Sequence, residues 1–233
     1  MKICLFGVTG ITPGKHNLKD PRLDQVDQMV EAQKKVYAQV DIVEEKEMAT
    51  CDAILTTRTA LSDLLMKDLD FVEARLGRDP AAAEKLVLEK LAEGLVSEKP
   101  VSALGLNADE LNAISAHNFV SSRPVVAADA EELASPEALL VRAFKESGYI
   151  SFLTVGGKEN RAWPIRAGLT AWEAAGTIHT DIQKGFIRAE IISFGELVAA
   201  GGETQAKRAG KQRLELKTYV MQDYDVTNFR FNK

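Results

Sequence analysis

Near residue 148 the rhythm of the chain changes, and this change constrains the fold more than any other feature of the 233 residues. Before it, short apolar runs alternate with stretches of helical period. Residues 2–8, 36–43, 51–57 and 123–128 read as strands, and the segments between them as loops and helices. After it, short strands and tight turns follow one another closely. The pattern predicts two domains, 1–147 and 148–233, the first an α/β domain.

In the first part, residues 9–19 read as a loop containing Gly10, Pro13 and Gly14. Asp20-Pro21 then opens a helix, with Asp20 as cap and Pro21 at the first helical position. Residues 60–97 read as a helical hairpin. Leu61, Leu65, Leu69, Val72 and Leu76 share one face, and Leu88, Leu91 and Leu95 line the returning helix. The stripe is too short for a sustained coiled coil, so an intramolecular hairpin is the expectation. Asp79-Pro80 should cap and start the second helix. Asn107 and Glu110 have the spacing of a capping box for a helix over 108–117, and 138–145 reads as a further short helix. Cys4 and Cys51 sit in apolar surroundings and are expected to be buried free thiols.

In the second part, 150–155 and 161–166 read as a hairpin whose Pro164 suggests an edge. Thr170 caps a helix over 171–178, 187–193 is a third strand, 194–200 a second helix, and 214–221 with 226–231 a closing hairpin. That order is the order of a ubiquitin-like β-grasp.

Lys158–Gly168, Thr170-Ala171, Ala174–Asp181 and Lys184–Glu190 resemble, block by block, the TGS domain of the YchF (Obg-like) family of P-loop NTPases. So do Ala209-Gly-Lys211, Tyr219-Val220, Gln222-Asp223, Asp225-Val226 and Phe229-Arg-Phe231. Tyr224 departs from the pattern, because the family's closing turn usually has Gly there, and a bulky residue is expected to change the turn type. More faintly, Asp20–Asp24, Val40–Val43, Leu106–Phe119 and Arg123–Val126 resemble parts of the family's nucleotide domain. The resemblance implies a shortened, degenerate P-loop-like α/β domain with a helical hairpin insertion, followed by a β-grasp TGS domain.

A P-loop needs Gly-x-x-x-x-Gly-Lys-Ser/Thr opening a helix, so that backbone amides curl around phosphates and the hydroxyl holds Mg²⁺. The only candidate is Thr9–His16. Thr9 stands at the first Gly, Pro13 removes a donor, and His16 replaces the hydroxyl. Asp41 matches the Asp of the family's Asp-x-x-Gly turn, but Glu44 stands at the Gly, followed by Glu45. The family's base-reading Asn is matched by Ala128, although Glu131 remains. Gly14, Lys15, Asp41 and Glu131 are therefore vestigial nucleotide-binding positions, and the expectation is no catalytic residue and no cofactor. The alternative is a weak ATP or GTP site with Mg²⁺ near residues 7–16.

The charge is uneven. Residues 1–147 carry 17 Lys and Arg against 25 Asp and Glu, a balance of −8, and the remainder 12 against 9, a balance of +3. Lys207, Arg208, Lys211, Arg213 and Lys217 cluster near the last strands. They form either a solvated face or a phosphate-backbone contact, with Leu214 and Leu216 expected to point inward. His179 and Asp181 are a candidate polar site or a structural helix end, and Trp163 and Trp172 read as packing residues. His16, His117 and His179 lack ligand spacing, so no metal site is expected. No apolar run reaches the ~20 residues needed to span a bilayer, and the N-terminus reads as a strand, not a signal peptide. These features predict a cytoplasmic, non-enzymatic binding protein. Its expected partner is the ribosome, RNA or another protein; a small-ligand sensor with a pocket between the domains is a further alternative. The oligomeric state stays open.

Overall fold

The computed structural model describes residues 1–232. They form two compact units: residues 1–16 with 40–139, and residues 17–39 with 140 onward. This differs from a single cut at 147/148, because Asn17–Gln39 packs with the C-terminal sheet.

In the first unit, β1 (Lys2–Phe6) runs parallel to β4 (Gln39–Val43) on one side and to β5 (Ala53–Thr57) on the other. β6 (Val125–Ala128) continues the sheet parallel to β5, and β2 (Gly14–Asn17) forms the opposite edge, giving the order β2-β4-β1-β5-β6. Ile3, Cys4, Ile54 and Leu55 are fully covered, as unbroken apolar runs in a parallel sheet require. Both cysteines are buried and free. Residues 14–17, expected as loop, form a strand. Its side chains are mostly exposed, so it is held by backbone pairing and carries no apolar alternation to reveal it.

The helical hairpin is α2 (Leu61–Leu76) and α3 (Ala82–Val96). Leu65, Val72, Leu88, Leu91 and Leu95 form its core, with Leu61, Leu69 and Leu76 packed against them. Asp79 does not cap α3. It adopts a left-handed φ of 51° in the turn, and α3 begins after Ala81 without a side-chain cap. Gly94 lets Leu104 pack close against α3, since a Cβ there would sit 2.4 Å from Leu104 Cδ2 and force that side chain to shift. α4 (Ala108–Ala113) has the Asn107/Glu110 capping box but stops short of 117. Buried Asp68 on α2 accepts from Val120 N, Ser121 N and Ser121 Oγ at 2.7–2.8 Å, fixing the turn that leads into β6. Asp129 caps α5 (Ala130–Leu133), and α6 (Pro136–Glu146) leads into the second unit.

The second unit begins upstream. Asp20 caps α1 (Pro21–Met29), as the sequence predicts, and β3 (Lys35–Val36) follows. The remaining strands are β7 (Tyr149–Thr154), β8 (Asn160–Arg166), β9 (Phe186–Ile192), β10 (Arg213–Glu215) and β11 (Val226–Phe231). The mixed sheet has the order β10-β9-β11-β7-β8-β3. β7–β8, β9–β11 and β9–β10 are antiparallel, whereas β7–β11 and β3–β8 are parallel. α7 (Ala171–Ile178) has a Thr170/Glu173 capping box. It lays Ala171, Ala174 and Ala175 against Phe152, Ile191 and Phe229, its small side chains allowing close approach to the sheet. α8 (Thr180–Lys184), α9 (Phe194–Ala200) and α10 (Glu203–Arg208) complete the unit.

Three expectations fail here. The strand expected over 36–43 is two strands in different sheets, β3 on β8 and β4 on β1; alternation alone cannot reveal a change of partner. The closing hairpin is absent, because β10 and β11 flank β9 on opposite sides. Residues 216–221 instead cross to α7, with Tyr219 O accepting from Ala171 N and Met221 N donating to Leu169 O. Tyr224 keeps a left-handed φ of 63°, the conformation Gly would take. The buried ring is held edge-on to Phe194 and lies 3.7 Å below the Arg22 guanidinium, contacts that offset a strain of about 1–3 kcal/mol.

Candidate functional site

In a parallel sheet, ligands bind beyond the carboxyl ends of the strands. In the first unit that edge is formed by Gly7 after β1, Glu44 after β4, Arg58 after β5 and Asp129 after β6. Gly7 has a φ of 66°, and a Cβ on it would fall 2.5 Å from Ala60 Cβ, so the chain passes tightly against the start of α2. Gly14 and Lys15 lie exposed on β2, and no helix opens at that point. His16 Nε2 lies 2.7 Å from Thr12 O, a contact that folds the loop back on itself. Asp41 is in the middle of β4, in register with Lys2. Glu131 is exposed in the first turn of α5, its N–H donated to the Asp129 cap. The four nucleotide-related positions are thus spread over β2, β4 and α5. Glu44 pairs with Lys46 and Glu45 with Lys67, each at 2.6 Å, and the Lys46 ammonium holds the Glu44 carboxyl below the usual range.

In the second unit, three of the five clustered cations already face acids. Lys207 pairs with Glu203 at 2.6 Å, Lys211 lies 4.0 Å from Glu196, and Arg213 is 3.2 Å from both Glu196 and Glu215. Among the described residues Arg208 and Lys217 have no ion pair. Leu214 and Leu216 do not point inward: they are 59% and 53% exposed. β10 is the terminal strand, and Leu214 shares a face with Glu190, its register partner, away from the α7 core. His179 caps α8, its Nδ1 accepting from Asp181 N, and both side chains are exposed. That is a helix-end arrangement.

Two polar constellations were not legible in the sequence. Asn160, fully buried, donates through Nδ2 to Asp27 Oδ1 and Val30 O, accepts from Gly156 N, and donates its own N–H to Lys34 O. Arg22 bridges Asp20 and Asp223, and Lys145 also reaches Asp20. Burial pushes the Asp20 carboxyl up, but Arg22 and Lys145 outweigh it and leave it below the usual range. Neither constellation has a spacing signal, since each depends on a partner more than a hundred positions away: Asp27 and Val30 for Asn160, and Asp223 and Lys145 for the Asp20–Arg22 pair. A cavity of about 250 Å³ in the same unit is lined by Ile178, Ile182, Ile192 and Phe231 with Glu190 and Glu203. Burial raises the Glu190 pKa, and hydrogen bonds from Asn228 and Arg230 more than reverse this. Among the described residues no helix is long and apolar enough to cross a membrane.

The YchF-GTPase_C family model, described as a protein of unknown function (DUF933), matches residues 149–232. The Ribosome-binding ATPase YchF of Escherichia coli O157:H7 is 34% identical over 233 residues, covering 73% of this chain and 64% of that protein. The protein of the same name from Haemophilus influenzae is 32% identical, with 75% and 65% covered. Obg-like ATPase 1 of Oryza sativa subsp. japonica is 51% identical over 83 residues, 36% of this chain and 21% of its own. The chain therefore spans about 65% of the length of the YchF relatives it matches. Among solved structures, the Schizosaccharomyces pombe YchF GTPase superposes with a TM-score of 0.75 at 18% identity, covering 99% of this chain and 97% of that one. The two-sheet α/β fold is thus the fold of that protein, and over the matched span the chain is similar to proteins of the YchF family.

Proposed function

We propose that this chain is a recognition protein of the YchF family whose nucleotide site no longer works. Its C-terminal unit would act as a TGS-type β-grasp module for a ribosome- or RNA-linked partner. The β-grasp reading is supported by the order β7-β8-α7-β9-β10-β11, by β7 and β11 lying parallel at the centre, and by a helix packed across one face. The partner is suggested by the relatives named ribosome-binding ATPase.

The observation that carries the loss of nucleotide chemistry is Gly14-Lys15 on an exposed edge strand. A phosphate cradle needs those residues where the chain enters a helix, with amides converging on the anion. Pro13 has no amide to give, and β2 directs its backbone groups into a sheet ladder. Beyond β4, Glu44 stands at the position of the family's phosphate-side Gly, so a side chain, itself paired with Lys46, occupies the point where a bare amide would meet a phosphate. Ala128 offers a purine no hydrogen bond. The residues present therefore do not fit a Mg²⁺-nucleotide.

Titration with mant-ATP and mant-GTP in Mg²⁺ tests this reading, with an expected Kd no tighter than about 1 mM. A saturable micromolar isotherm lost in Lys15→Ala would replace it with a nucleotide-binding protein using an unorthodox site. Co-sedimentation with ribosomes over a salt series tests the partner. Binding that weakens with salt is expected, and no binding at low salt would remove the ribosome.

A further inference from the structure

We propose that the β10 edge of the C-terminal unit is a docking surface for an acidic, extended polypeptide segment that joins the sheet as an added strand. The inference rests on reading this unit as a recognition module, and it names the chemistry of what is recognised.

β10 ends the sheet, and no backbone hydrogen bond reaches its outer edge among the described residues. An open edge presents N–H and C=O groups in register for another strand. Around it stand four large apolar side chains that the fold does not cover. Leu214 is 59% exposed, Leu216 53%, Val220 46% and Trp172 44%. Trp172 and Val220 lie together, because Trp172 N donates to Lys217 O and Thr170 bridges Val220, while Leu214 stands on β10 itself, on the face away from α7. Uncovered apolar side chains beside an unpaired edge suit an added strand, whose alternate side chains reach both faces of the sheet.

The rim is basic. Arg208 and Lys217 have no internal ion pair among the described residues, and Lys211 is only loosely engaged, 4.0 Å from Glu196. An acidic segment would complete these charges. RNA matches the surface less well, since phosphates gain nothing from two bare leucines and a valine, and Arg213 is already held by Glu196 and Glu215. Short edge strands flanked by basic residues also serve to prevent aggregation. That role calls for charge and brevity, and leucines exposed beside the edge work against it.

The test uses the full chain labelled with ¹⁵N and a blocked ten-residue peptide of alternating Val and Glu. Saturable shifts are expected at the Arg213, Leu214 and Glu215 amides and the Trp172 indole. A peptide with Lys for Glu, and a Val/Glu peptide N-methylated at alternate residues, should each bind at least tenfold more weakly. Leu214→Ser with Leu216→Ser should weaken the Val/Glu peptide by at least tenfold and leave the rest of the spectrum in place. No saturable shift, or equal binding of the N-methylated peptide, overturns the proposal. A ten-nucleotide poly(U) that perturbs the same residues while the peptide stays silent assigns the surface to RNA and likewise overturns it. Ribosome co-sedimentation of the same proteins separates the two levels. Wild type that pellets with ribosomes while the peptide fails leaves the recognition reading standing and removes this one.

Discussion

The two units are anchored over different reaches of chain. In the N-terminal unit, the buried carboxylate of Asp68 holds Val120 and Ser121, about fifty positions ahead. In the C-terminal unit, Asn160 reaches Asp27, 133 positions back, and with it secures α1 and β3 to a sheet otherwise made by the last third of the chain. The first unit keeps its helical hairpin well packed, while its strand ends carry exposed, self-paired carboxylates. The second unit buries Asn160, which ties in a segment from far upstream, and leaves Leu214 and Leu216 exposed beside an open sheet edge. Both units bury a polar anchor and both expose apolar side chains, so what separates them is the length of chain each anchor spans.

Replacing Asn160 with Ala should have the largest effect on that comparison. It leaves buried Val30 O without its donor and takes a partner from half-buried Gly156 N and Asp27, costing about 4 kcal/mol. Hydrogen exchange should show residues 17–39 and β8 losing protection while β1, β5 and the hairpin keep theirs. Uniform loss across both units would mean that the anchors are not separable.

Asp68→Ala should be the converse, costing about 3 kcal/mol by leaving three donors without an acceptor, with protection lost first in α2 and the 120–122 turn. Protection lost equally from β7–β11 would break the comparison from the other side.

The smallest effect is a pH dependence at Glu84, which accepts from Arg75 and lies 2.7 Å from His117 Nε2, linking α2, α3 and the segment after α4. The hydrogen bonds from Arg75, then His117, lower its pKa from 4.5 to about 2. A depressed carboxylate contributes stability above its unfolded pKa and loses it as pH falls through the folded one. Glu84→Gln should therefore flatten the acid limb of the stability curve between about 4.5 and about 2. An unchanged acid limb in thermal melts would show that this link does not matter.

Much of the fold was legible. The leucine stripe of α2 and α3, the caps at Asp20, Asn107 and Thr170, and the buried runs of β1, β5 and β6 all depend on neighbours within a few positions. The candidate sites were less so. Gly14 and Lys15 were visible as a departure from a phosphate loop, but their place on a strand was not, because exposed backbone pairing has no side-chain pattern. Leu214 and Leu216 were misassigned because alternation identifies a face without saying whether anything covers it.

Local periodicity and capping chemistry, written in consecutive residues, determined which segments become helices and buried strands and where the chain's character changes. Only the tertiary structure decided that 17–39 belongs to the C-terminal unit, that β10 and β11 lie on either side of β9, and that Tyr224 holds a left-handed turn under Arg22. Each of these depends on the free energy of contacts between residues far apart in the chain, and no spacing along the sequence encodes which distant partner wins.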